Sequence, residues 1–254
     1  MKMRTRPGAA LAIRVGVALV LLAGATGCGG RGRGPAEAAT GSADAAAGPP
    51  GEAEVLENLR APDDAKTFQD LRALVKQHPA AVTAVCVREL DDPDGRLACR
   101  ASMGLALVPD ISALAPTLIS HMLHSSVPGV RAGCAGDVGM IPTSAAHRAL
   151  IEALKDSYGP VVCGAAPRLA VEGEQDAVGP LRAALHHPSA HARFEVCMAL
   201  INLHGANTET VRTLQDLRRY PWCARRLKEW VAGGLPDLVA EAEKQARQAP
   251  NRKN

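Results

Sequence analysis

Aromatic residues are scarce: two Trp, two Tyr and two Phe in 254 residues. Sheet cores draw heavily on β-branched and aromatic side chains, and no stretch shows sustained period-two alternation, so an α-rich class is the natural expectation. Short catalytic signatures are missing too. There is no G-x-S-x-G, no Walker-type phosphate loop and no H-E-x-x-H, so the local marks of a nucleophile elbow, a nucleotide cradle and a zinc protease are absent. No C-x-x-C occurs, which removes the signature of thioredoxin-like redox chemistry and of haem attachment.

A basic excess is lacking once its location is considered. The formal net charge is +3, but residues 1–27 hold Lys2, Arg4, Arg6 and Arg14 and no acid. The remainder is near neutral, without the excess that drives nucleic-acid binding. One apparent motif is a chance match. Gly27–Gly32 fits G-x-G-x-x-G, yet a dinucleotide site needs a strand before the glycines and a helix after them.

What is present begins with a targeting segment. Met1–Arg14 is a basic n-region, and Val15–Ala25 is an unbroken apolar run of 11 residues. A bilayer-spanning helix needs about 20, whereas this length suits a signal-peptide core. The next residues, Ala25-Thr26-Gly27-Cys28, resemble the lipobox of bacterial lipoproteins, although Ala25 stands where the family usually has Leu. The resemblance implies cleavage before Cys28 and diacylglycerol and fatty-acyl modification of that cysteine. It also implies a membrane anchor, with Gly29 favouring the outer membrane. The alternative is an ordinary secretory signal cut nearby, with Cys28 a bystander.

Gly29–Gly51 is rich in Gly, Ala and Pro, with no apolar periodicity. It reads as a disordered tether holding a domain about 25 Å from the membrane. The expected division is a signal peptide at 1–27, the lipidated cysteine and linker at 28–62, and a folded domain at 63–248.

Within that domain the apolar spacing is helical. Ile111, Leu114, Leu118 and Met122 form one stripe; Leu97, Ala101, Leu105 and Val108 form another. Turns punctuate the chain at Asp91–Gly95, Ser125–Gly129, Gly159-Pro160 and His187–Ser189, and Thr143 and Asn207 read as N-caps. The turns also align with one another. Each of three runs from the end of an apolar helix through a polar turn to an arginine (Arg96, Arg131, Arg193), then to a cysteine (Cys99, Cys134, Cys197). Cys163 and Cys223 continue the series without the arginine, and the five cysteines are spaced 31 residues apart on average. That is the period of a helical-hairpin repeat.

The pattern resembles HEAT-like repeats, best at Pro180–Leu203 and Leu90–Leu107. It implies an all-α fold: an α-solenoid of about five stacked helical hairpins, each burying its apolar face only against the next. Such folds mostly bind other proteins, so the expected role is a non-catalytic scaffold for an envelope protein partner, with no cofactor and no nucleic acid.

Six cysteines follow Cys28: Cys86, Cys99, Cys134, Cys163, Cys197 and Cys223. Beyond the inner membrane an even number permits disulfides. Cys86 and Cys99 flank one turn and are the favoured pair; Cys134–Cys163 and Cys197–Cys223 are weaker, because packed helices sit about 8–10 Å apart and a disulfide needs closer Cα atoms. The alternative is small buried hydrophobes in the alanine slot. The histidine groups His121/His124 and His186/His187/His191 lack a metal-ligand pattern and read as helix-end polar residues. Asp91, Asp92 and Asp94, like Glu172 and Glu174, read as turn residues. Arg218, Arg219, Arg225 and Arg226, with Tyr220 and Trp222, form the densest basic-aromatic patch, suited to anionic lipid, glycan or an acidic partner. The competing functional reading is a cysteine- or histidine-dependent metal-binding or enzymatic envelope protein.

Overall fold

A computed structural model describes residues 51–62, 65–172, 175–230 and 234–248. The signal segment, Cys28 and the tether before Gly51 lie outside them. The described residues are all-helical, without strands. Thirteen α-helices occur among them: α1 (Glu52–Arg60), α2 (Ala65–Gln77), α3 (Pro79–Glu89), α4 (Gly95–Leu105), α5 (Ala115–His124), α6 (Pro128–Val138), α7 (Ser144–Ala153), α8 (Gly159–Glu172), α9 (Val178–Ala184), α10 (Ala190–His204), α11 (Thr208–Leu217), α12 (Pro221–Trp230) and α13 (Gly234–Gln248).

The helix starts follow local chemistry. Side-chain oxygens of Asp94, Thr143 and Ser189 accept from backbone N–H groups two or three residues on, at 3.0, 3.2 and 3.4 Å. Asn207 forms a full capping box with Thr210. Each satisfies donors that a helix start would leave bare. Gly159 and Pro160 open α8 rather than joining two helices; the turn lies just before, where Asp156 accepts from Tyr158 N at 2.8 Å.

The domain begins earlier than its polar composition suggests. Residues 52–60, expected in the linker, form α1, and Val55 and Leu59 are wholly buried. Three glutamates and the Gly-Pro-rich run before it disguise an amphipathic helix only nine residues long. Its C-terminal carbonyls are capped from outside: Arg100 on α4 donates to Ala61 O at 2.8 Å and to Asn58 O at 3.0 Å.

The helices pair as α3/α4, α5/α6, α7/α8 and α9/α10, and the second member of each pair packs on the next: α4 on α6, α6 on α8, α8 on α10. The fifth unit departs from this. α11 packs chiefly on α10 and α13, and α12 on α13.

Two of the aligned arginines clamp equivalent turns. Arg131 donates to Ser125 O at 2.9 Å and Arg193 to His187 O at 2.6 Å, each reaching six residues back. Arg131 also makes a two-pronged pair with Asp156, at 2.6 and 3.1 Å. Arg96 breaks the rule, reaching Ala61 O instead at 3.4 Å.

Small residues set the spacing of the inner helices. A Cβ on Gly164 would meet Ala135 Cβ at 3.1 Å and Gly136 N at 3.3 Å, so α6 and α8 nearly touch through their backbones. A Cβ on Gly104 would lie 2.5 Å from Cys86 Sγ. Gly104→Ala is therefore expected to destabilise by about 1 kcal/mol, an overpacking cost only partly offset by better helix propensity. With Cys86→Ala the clash disappears, and the same substitution should stabilise. Urea melts of the four proteins check this reversal of sign.

Candidate functional site

The helix sequence brings one charged and aromatic cluster together from α8, α10 and α12. Glu195 sits in the apolar run Phe194–Leu200 of α10 and is buried. Arg226 on α12 donates to its Oε1 at 2.7 Å, while the Oε2 atom is buried with no hydrogen-bond partner among the described residues. Burial pushes the Glu195 carboxyl above its ordinary range, against the pull of Arg226. The same guanidinium lies 5.6 Å from the centre of the Phe194 ring. Cys163 on α8 faces this pair, and its thiol is pushed up to about 12, first by burial and then by the Glu195 charge.

Around this core runs a row of rings. His191 stacks on Trp222 at 4.0 Å, Trp222 lies 6.0 Å from Tyr220, and Arg219 sits 5.1 Å over Tyr220. Phe194 meets Trp222 edge-on at 5.5 Å. The His191 imidazole is held below its usual range by burial and by Arg226. The sequence patch on α12 is thus joined by His191, Phe194 and Glu195, which sequence proximity could not connect. The available signal was an acid inside the otherwise apolar stretch Phe194–Leu200.

A second buried acid occupies α6. Asp137 is 1% exposed, and its Oδ2 has no hydrogen-bond partner among the described residues. Desolvation pushes its pKa up to about 8, opposed by Arg168 on α8. The two arrangements match: each acid on one inner helix faces an arginine 31 residues later on another.

The six described cysteines are thiols, and no disulfide joins Cys86 to Cys99 or any other described pair. Cys86 points at Gly104 on α4; Cys99 lies five residues before Gly104, about 140° round the helix, where it interacts with Cys134 of α6. Cys163 lies near enough to Glu195 and Arg226 for both charges to act on its thiol. Cys197 donates its Sγ–H to Thr210 O at 3.1 Å and so points toward α11, although Cys223 is near enough to raise its pKa. Burial raises Cys86 to about 12 and lifts Cys134, Cys197 and Cys223 as well. The thiolate is the reactive and metal-binding form, so Cys86, Cys134 and Cys197 are expected to resist Ellman's reagent at pH 8 until denaturant is added. Rapid labelling of these three in the native protein would contradict their burial.

His187 and His121 are hydrogen-bonded within the protein. His187 accepts from Ser189 N on Nδ1 at 3.0 Å, so Nε2 carries the proton and donates to Asp156 O at 3.0 Å. His121 contacts Thr117 O and Asp91. Asp92 and Asp94 hold the α3–α4 turn. The Glu172 side chain and Glu174 lie outside the described residues. Among the described residues no three His, Cys, Asp or Glu side chains converge as metal ligands, and no helix is long and apolar enough to cross a membrane.

No family model matches this chain, and no curated protein matches it. Among solved structures, the crystal structure of an engineered protein is similar at 20% identity and a TM-score of 0.39, covering 78% of this chain and 99% of that one.

Proposed function

We propose that the chain is a bacterial envelope lipoprotein, anchored through acylated Cys28, whose HEAT-like α-solenoid of about five hairpins is a non-catalytic scaffold for a protein partner at the outer membrane. The supporting observation is the serial packing of the cysteine-bearing helices, α4 on α6 on α8 on α10, at the repeat period. A hairpin of small aliphatics hides its apolar face only against a neighbour, and stacked hairpins present an extended surface suited to binding. The step from such a fold to binding is an analogy. The competing metal-handling or enzymatic role needs accessible thiolates, and burial of the thiols works against it.

Intact mass of the membrane-extracted protein, without reduction, tests the anchor. The expected product begins at Cys28 and carries acyl chains; an unacylated chain cut elsewhere removes that part of the reading. Elemental analysis and cross-linking in envelope preparations test the scaffold. The expected result is a recurrent cross-linked protein and no stoichiometric metal. Stoichiometric metal without a cross-linked partner would replace the scaffold with the metal-handling role.

A further inference from the structure

Three of the chain's six aromatic residues, Phe194, Tyr220 and Trp222, meet where α12 lies beside the start of α10. In the row Arg219–Tyr220–Trp222–His191 the groups stack on one another. Much of the ring-face area is therefore already used, which leaves little for stacking a base or a sugar. Ring edges and arginine donors remain. A ring edge carries the positive part of the aromatic quadrupole, and the guanidiniums add full charges. Arg218, Arg219 and Arg225 are exposed, and Tyr220 and Trp222 are half-buried. Residues 212–230 hold six bases and two acids, although the chain from residue 28 onward is near neutral. An open, largely apolar cleft of the described residues lies elsewhere, beside Pro79, Ala80 and Val108.

A donor-rich patch with half-buried Trp and Tyr suits the headgroup layer of a membrane, where amphipathic rings settle and basic residues meet anionic lipid. We propose that this α12 face docks on an anionic phospholipid surface and so orients the tethered domain. The inference rests on the lipid-anchor reading, which keeps the domain within about 25 Å of the bilayer. Charge complementarity selects the occupant. An acidic polypeptide shares that charge but would ordinarily seek an apolar pocket for its anchoring side chains.

Trp222 and Trp230 are the only tryptophans, and both lie on α12. In a Trp230→Phe variant Trp222 is the sole tryptophan, so its fluorescence reports this face and is silent about the N-terminus. The full chain with that substitution is mixed with vesicles of brominated phosphatidylcholine, alone or with equimolar phosphatidylglycerol, and scored for flotation and for tryptophan quenching. The expected result is quenching with phosphatidylglycerol, little without it, and relief by salt. In Arg218→Gln/Arg219→Gln/Arg225→Gln the docking equilibrium read by quenching in anionic vesicles should fall roughly a hundredfold, about fivefold per arginine, with flotation and the helical circular dichroism unchanged. A chain that floats with both vesicles yet is quenched in neither keeps the anchor and overturns the docking. A chain that is quenched in anionic vesicles but does not float with neutral ones loses the anchor and keeps the docking. Unchanged quenching in the triple variant overturns the proposal. So does salt-sensitive binding of polyglutamate without lipid quenching, which would assign the face to an acidic polypeptide.

Discussion

Replacing Asp137 with Asn is expected to abolish a fall in stability between pH 5 and pH 8. The Asp137 carboxyl is 1% exposed, and its folded pKa is pushed up to about 8, against about 3.9 in an unfolded chain. Below the unfolded value both states are protonated, and the folded state carries no penalty. As pH rises toward 8 the unfolded chain loses its proton while the folded protein keeps it. Stability therefore drains by up to about 1.4 kcal/mol per pH unit, and levels off only above the folded pKa. Asparagine has a similar shape and no proton to lose. Asp137→Asn should leave stability at pH 5 within about 1 kcal/mol of wild type and raise it at pH 8 by about 2 kcal/mol or more. Urea midpoints across the range decide the matter: parallel curves for the two proteins would mean that Asp137 is ionised in the fold, held by Arg168.

Arg226→Ala should be among the most damaging single changes on the inner layer. It strips the hydrogen-bonding partner at 2.7 Å from a Glu195 whose side chain is 7% exposed. Removing one member of a buried pair costs about 3–5 kcal/mol, most of it the charge left behind. Arg226 is itself 26% exposed, so the lower end is expected, about 3 kcal/mol. Glu195 already stands above its ordinary carboxyl range because it is buried, and without the guanidinium it rises further. A raised folded pKa means stability lost as pH increases, so the Arg226→Ala defect should be larger at pH 8 than at pH 5. Glu195→Gln added to Arg226→Ala should recover much of the loss at pH 8, because the buried charge is gone. A double variant as unstable as the single one would show that Arg226 acts through its packing on Phe194 instead.

Much of the helical order was legible because local rules and the fold agree. The apolar stripes, the caps at Thr143 and Asn207 and the turns at Asp91–Gly95 and His187–Ser189 are all short-range features. Helix α1 was not legible, since its two buried residues become significant only once α3 and α4 lie against them. The surroundings of Cys86 and Cys99 were hidden for a related reason. Sequence puts both cysteines beside one turn, but in the fold Cys86 lies against Gly104 while Cys99 interacts with Cys134.

The candidate site divides along the same line. Composition alone marked the arginines, Tyr220 and Trp222 in and just before α12 as an unusual patch, because they are adjacent in the chain. Only tertiary packing supplied Glu195, Phe194 and His191, some thirty residues earlier, and only packing made Glu195 and Asp137 special. An acid in a sequence has no pKa of its own beyond the ordinary one; burial between helices α6, α8, α10 and α12 gives it another. By itself the sequence determined that this chain is helical and where its helices turn, because those depend on neighbours within a few residues. The tertiary structure decided which helices touch, which charges are hidden and which face is left bare, because those depend on residues far apart in the chain.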